Sequence, residues 1–249
     1  NIIGRSNYET QLFNTKGSKL RGSGYKGVSD YVIEAMQSWR VYHFHDTSST
    51  AKVKGISTIS SSVNKQLLAN AENLSAFLYY LKLKFPDSFF MIEETVKLIA
   101  PYFDKFILEP DIFDEDKIRL EWLEIGNEKV FNAHHLSDGT LRMICLTTLL
   151  LQPNAPDTII IDEPELGLHP YAITVLASLM KSFAIDKQLI ISTQSVTLIN
   201  HFNGDDIIVT DKINSASVFR RLDKDELNKW INDYSLGEIW EKNLIGGRP

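Results

Sequence analysis

The sequence predicts an α/β fold in which a parallel sheet is flanked by helices. Residues 158–161 and 189–192 are short apolar runs rich in β-branched side chains, the pattern of strands buried in a parallel sheet. Between them, residues 171–183 read as a helix with Pro170 at its first position, where a missing N–H is harmless. Strand, helix and strand in that order make the crossover that parallel strands require. Ahead of them, residues 141–151 are almost wholly apolar, so this helix is expected to be buried on all sides.

The other elements follow in chain order. Residues 1–29 are glycine-rich and basic, with Gly17, Gly22, Gly24 and Gly27, and read as loop. Residues 31–39 have helical character, and 41–44 look like a short strand. Residues 47–62 are rich in Ser and Thr, with Lys52 and Lys54, and are expected to be loop or insertion. Within 72–85, Leu74, Phe77, Leu78 and Leu81 recur at helical spacing, which predicts an amphipathic helix. Residues 91–100 make a second helix, stopped by Pro101. Residues 118–123 alternate apolar and charged, as a half-exposed strand does. Residues 207–209 and 217–222 form a hairpin around Asn214 and fit the last strands of the same unit. The parallel sheet is expected to be covered on both faces.

The totals bound the function. At about 150 residues per domain, 249 residues make one large domain or a domain with an insertion. With 43% hydrophobic and 23% charged residues the chain has a real core and is not globally disordered. The longest apolar run, 143–151, falls far short of the roughly 20 residues of a membrane span, so no membrane partner is expected. One cysteine, Cys145, excludes a disulfide framework and a cysteine-built zinc site, and fits a cytoplasmic location. A net charge of −6 gives no global nucleic-acid footprint. Lys16, Lys19, Arg21 and Lys26 form a local basic strip that could touch DNA phosphates or stand as a solvated loop.

Four segments carry chemistry. Thr158-Ile-Ile-Ile-Asp162-Glu163-Pro164 is a β-branched run ending in adjacent carboxylates. The carboxyl end of such a strand opens into the ligand crevice of an α/β sheet. Asp162 could there hold Mg²⁺ through water, and Glu163 could polarise a water for attack on a γ-phosphate. Leu136-Ser137-Asp138-Gly139-Thr140-Leu141-Arg142 opens the buried helix. Ser137 is suited to cap it, and Gly139 lets a backbone come close, so the helix N-terminus is a candidate phosphate site. Leu166-Gly167-Leu168-His169-Pro170 follows the carboxylates. Ile191-Ser192-Thr193-Gln194-Ser195 ends the next apolar run.

In their order and spacing these four segments resemble the C-terminal half of an ABC-type ATPase head. The resemblance is to RecF-like and structural-maintenance-of-chromosomes-like ATPases, the overcoming-lysogenization-defect group and the small bacterial ATPases of the AAA family. It implies a P-loop NTPase fold with a helical signature subdomain. Residues 1–135 would hold the rest of the N-terminal lobe and helical subdomain, and 136–249 the signature helix and Walker-B lobe. Residues 136–142 resemble the signature motif, Asp162 and Glu163 resemble Walker B, and 166–170 resemble the D-loop. Gln194 stands where the family often has a switch histidine. It can hydrogen-bond a phosphate or water but cannot carry the charge. The resemblance thus implies ATP and Mg²⁺, with Asp162 at the metal and Glu163 and Gln194 catalytic. Ser137, Asp138, Gly139, Gly167 and His169 would line the nucleotide. Two heads would close head to tail on ATP as a homodimer, Ser137 and Gly139 acting in trans. The role implied is DNA repair or defence against phage, with DNA or an effector protein as partner. A scaffold that senses nucleotide with little turnover, and so controls an effector, is the alternative.

The family's Walker A, G-x-x-x-x-G-K followed by Ser or Thr, occurs nowhere in the chain. Gly17–Gly22 and Gly22–Gly27 have the glycine spacing, but Ser23 follows the first where Lys is required, and the second fails in the same way. The first residue is Asn1 rather than Met. The expectation is therefore a chain without the first lobe, weak or inactive toward ATP by itself. His43-x-His45-Asp46 has a spacing open to a metal but reads better as a strand end running into a loop. Asp205, Asp206 and Asp211 allow a metal-nuclease reading, which the short tail after them disfavours. The tail, with Trp240, Gly246 and Gly247, is expected to dock on the core or on a partner.

Overall fold

The computed structural model describes residues 28–59 and 64–247; among these residues, three of four small sheets pack with helices around one main core. The basic strip from Lys16 to Lys26 lies outside the described residues. In chain order the elements are α1 (Val28–Ser38), β1 (Arg40–Tyr42), β2 (Ile56–Thr58), α2 (Leu74–Lys84), α3 (Pro86–Ile99), β3 (Phe103–Ile107), β4 (Lys117–Arg119), β5 (Glu121–Glu124), β6 (Val130–Asn132), α4 (Asp138–Leu151), β7 (Thr158–Asp162), α5 (Pro170–Phe183), β8 (Gln188–Ser192), α6 (Val196–Ile199), β9 (Ile208–Ile213), β10 (Ala216–Arg221), α7 (Lys224–Asn228) and α8 (Leu236–Glu241).

The parallel sheet has the order β1-β7-β8. Its register sets Tyr42 beside Ile161 and Asp162 beside Ser192. Three consecutive isoleucines favour this pleated, buried backbone. Ile159, Ile161 and Tyr42 on one face join the core with the buried residues of α2, α3, α4 and α5. The opposite face departs from expectation. Val41 and Ile190 on it are each 42% exposed, and Ile160 between them is half-buried. Among the described residues the sheet is therefore covered on one face, not two.

α4 is the central helix, with every residue from Leu141 to Leu150 buried. Ser137 caps it: its Oγ accepts from Thr140 N at 3.1 Å. α3 begins at Pro86, immediately after α2, rather than at residue 91. Phe89, Ile92 and Val96 give it a buried stripe, and Pro86 at its start terminates α2.

Three further expectations are corrected. The polar stretch 47–62 holds a 3₁₀ turn (Lys52–Lys54) and the strand β2, which pairs antiparallel with β4. Ser57 in β2 is buried because its hydroxyl donates to Glu72 O and accepts from Ser75 Oγ, at 3.0 and 2.8 Å. The run 118–123 is two strands, not one: β4 joins β2, whereas β5 sits between β3 and β6. The hairpin β9–β10 turns at Asn214 and Ser215, both with positive φ. It forms its own two-stranded sheet and does not extend the parallel one. A second, smaller core of Ile199, Val209, Leu222, Leu236, Ile239 and Ile245 lies under it. The tail docks there, with Gly247 N donating to Asp211 Oδ1 at 2.7 Å and Trp240 Nε1 to Gly247 O at 3.2 Å.

Candidate active site

Parallel strands end together, so the loops after β7 and β8 leave the sheet side by side. Glu163 N donates to Ser192 O at 2.9 Å, which extends the ladder one step past the strands. Side chains then bridge the loops. Ser192 Oγ donates to Asp162 Oδ1 at 2.6 Å, and Gln194 Nε2 donates to Glu163 Oε1 at 2.7 Å. Asp162, Glu163 and Gln194, singled out in the sequence, thus meet in one cluster. Glu163 has a φ of 41°, a left-handed backbone that a non-glycine residue adopts only when its surroundings hold it there.

Residues 136–142 meet residues 166–170. A Cβ on Gly139 would lie 2.6 Å from Gly167 O. The close approach that Gly139 permits is therefore used by the chain's own backbone at Gly167. Gly167 has a φ of 75°, and a Cβ on it would lie 3.1 Å from Arg142 Nη1. Asp138 at the start of α4 receives Lys54 Nζ at 3.3 Å, a cation beside an acid at a helix N-terminus. His169 caps α5, its Nδ1 accepting from Tyr171 N at 3.2 Å.

Arg142 and His45, to which sequence reasoning gave no such part, join these two groups. Arg142 is buried and donates from Nε to Phe44 O at 2.9 Å and from Nη2 to His45 O at 3.1 Å. Burial holds its guanidinium below the usual arginine pKa. His45 Nε2 in turn lies 2.8 Å from Asp162 O. So α4, the loop after β1 and the end of β7 are fastened to one another. The same geometry answers the metal question at His43, His45 and Asp46. β1 stops at Tyr42, His45 is engaged with the Asp162 backbone, and Asp46 accepts from Ser48. Asp206 and Asp211 are likewise engaged, Asp206 in a capping box with Asn203 and Asp211 with Gly247.

Glu165 was also overlooked, although it is the third acid of Asp162-Glu163-Pro164-Glu165. It is buried, and it accepts from Thr193 Oγ1 at 2.5 Å.

Among the described residues no three His, Cys, Asp or Glu side chains gather as a metal cage. Asp162 Oδ1 and Glu163 Oε1 are occupied, and among the described residues nothing donates to the other oxygen of either carboxylate. One or two hard oxygens suit Mg²⁺, which keeps most of its waters and takes phosphate oxygens for the rest. The donor set fits that ion.

The family described as "AAA domain, putative AbiEii toxin, Type IV TA system" matches residues 32–200. A "putative ABC transporter ATP-binding protein" of Methanosarcina acetivorans is 28% identical over 127 residues, covering 51% of this chain. The chain spans 42% of that relative's length. Solved structures similar to it include a chain from work on ATP-driven dimerization and DNA-stimulated activation of SMC ATPases. That chain is 17% identical with a TM-score of 0.46, over 62% of this chain and 94% of that one. Another is the Smc head domain with a coiled coil and joint from Pyrococcus yayanosii. It is 17% identical with a TM-score of 0.48, over 65% of this chain and 31% of that one. No helix among the described residues is long and apolar enough to cross a membrane.

Proposed function

The chain belongs to this AAA-domain ATPase family, and from that premise we propose that it supplies the signature and Walker-B parts of an ATPase that works as a head-to-tail dimer. One observation carries the reading. Asp162, Glu163 and Gln194 converge at the carboxyl ends of β7 and β8, with Glu163 held in a left-handed backbone.

Asp162 is the residue to hold Mg²⁺, which when bound neutralises charge on the β- and γ-phosphates. Glu163 orients a water and takes its proton. Gln194 holds Glu163 by its amide N–H and, being neutral, leaves the carboxylate its charge. Ser137, Asp138 and Gly139 start α4, and the free N–H groups of that first turn face the phosphates of the opposing head. Gly167 and His169 follow in the D-loop, and Gly167 sits against Gly139, so closure of the dimer acts on both loops at once. The division of the chain at 135/136 separates the remainder of the first lobe from the signature helix and Walker-B lobe. Of DNA repair and anti-phage defence, the family's toxin–antitoxin connection favours defence, with DNA or an effector protein as the partner. A nucleotide-sensing scaffold with little turnover is the second reading, favoured by the neutral Gln194 in the switch position.

The test is Mg²⁺-dependent ATP turnover by the full-length gene product, wild type beside Glu163→Gln, with and without duplex DNA. Turnover that falls at least about a hundredfold in Glu163→Gln supports the hydrolase. Stable ATP-bound dimers without turnover in either form would replace it by the scaffold.

A further inference from the structure

A third bridge between the two active-site loops lies outside the residues assigned above. Glu165 is only 9% exposed, and its Oε1 accepts from Thr193 Oγ1 at 2.5 Å. Thr193 Oγ1 also accepts from Ser195 N at 3.0 Å. That amide occupies a lone pair of the hydroxyl, so the hydroxyl proton points at Glu165. The second carboxyl oxygen, Oε2, is buried with no hydrogen-bond partner in the structure. The Thr193 bond is thus the one hydrogen bond that this buried carboxyl group receives among the described residues. Losing it would leave the whole group unsatisfied, which a folded chain avoids by moving the loop.

Thr193 immediately precedes Gln194. A shift of the loop that releases Thr193 therefore carries Gln194 away from Glu163. We propose that Glu165 is a positioning residue: through Thr193 it fixes the loop after β8 so that Gln194 stays on Glu163. This rests on the ATPase reading for its consequence, but the positioning itself is a property of the folded chain. Neither residue needs to touch the nucleotide.

The experiment uses the full-length protein with ¹⁵N-glutamine labelling and measures two quantities. One is the Gln194 side-chain amide resonance, identified by its absence in Gln194→Ala. The other is the steady-state kcat and KM for ATP. In Thr193→Val, which keeps the shape and removes the hydroxyl, the amide should move toward the position of a glutamine bonded only to water, as its bond to Glu163 is lost. Its kcat should fall about tenfold to a hundredfold, with KM within about twofold. Thr193→Ser restores the hydroxyl and should restore both. Should Thr193→Val fail to fold, the pair Thr193→Val with Glu165→Met removes both polar partners together. That pair should fold, yet show the same shifted amide.

An unmoved amide in a folded hydroxyl-less variant overturns the proposal. So does a moved amide with wild-type kcat, and so does a fallen kcat with an unmoved amide. If the wild type turns over no ATP, the ATPase reading fails and the amide alone decides whether Glu165 and Thr193 position Gln194.

Discussion

Glu163 combines chemistry and strain in one residue. Its φ of 41° places a β-carbon where the backbone disfavours it, at a cost of about 1–2 kcal/mol. The hydrogen bond its N–H donates to Ser192 O and the one it accepts from Gln194 hold it there. Glycine adopts this conformation freely, whereas alanine keeps the strain and removes the carboxyl group. Glu163→Gly should therefore be more stable than Glu163→Ala by about 1 kcal/mol in urea unfolding, with both inactive. A less stable glycine variant would mean that the left-handed backbone is not under strain. The carboxyl group itself was legible in the sequence, because a β-branched run ending in two acids is distinctive. The backbone twist was not, since nothing in Asp-Glu-Pro marks a positive φ. Glu165 was missed for another reason: an acid three residues past a strand reads as solvated until the loop beside it is known.

At the scale of elements, Arg142 does more than its place at the start of α4 suggested. It lies on α4, and its guanidinium supplies donors to the backbone carbonyls of Phe44 and His45. His45 continues the contact to Asp162 O. Replacing Arg142 by Met keeps the apolar stem but leaves two carbonyls without donors, which should cost about 2–4 kcal/mol. Lysine cannot reproduce the fork that reaches both carbonyls, so Arg142→Lys should recover less than half of that loss. A shift in the urea midpoint worth under about 1 kcal/mol for Arg142→Met would show that water replaces the guanidinium. Helices α4 and α5 and strands β7 and β8 were legible because their periods and proline boundaries agree. The split of 118–123 was not. Ile118, Leu120 and Trp122 are all buried on the alternating pattern, yet β4 and β5 pair with different strands. Alternation tells which way a side chain points, not which strand lies beside it. β2 escaped notice because its burial is polar, through Ser57 and Ser75.

Over the whole molecule, one core runs from Tyr42 to Leu198 and draws on both sides of residue 135, with α4 threaded through it. The expected two-sided sheet does not occur among the described residues, because periodicity reports that a strand is apolar and not what covers it. Val41 and Ile190 remain exposed on the uncovered face. The stability of this core has a built-in reporter. Cys145 lies on α4 at 2% exposure, and burial pushes its thiol from 9.0 up to about 12. The thiolate is the reactive form, so at pH 8 the native state offers almost none of it and no path to it. A thiol reagent should therefore reach Cys145 only when the core opens. With a stability of at least about 5 kcal/mol, labelling should be slowed more than about 10³-fold relative to the urea-unfolded chain. The sign of the pH effect follows from the raised pKa. The folded state holds the thiol proton more tightly than the unfolded chain, so this contribution is complete below pH 9.0 and is lost as pH rises toward about 12. Labelling should then accelerate across that window in step with unfolding followed by tryptophan fluorescence. Rapid labelling at pH 8 with the tryptophan signal unchanged would instead show that α4 leaves the core by itself, and the fastening of α4 to β7 through Arg142 and His45 would be too weak to hold the start of α4 in place against the loop after β7.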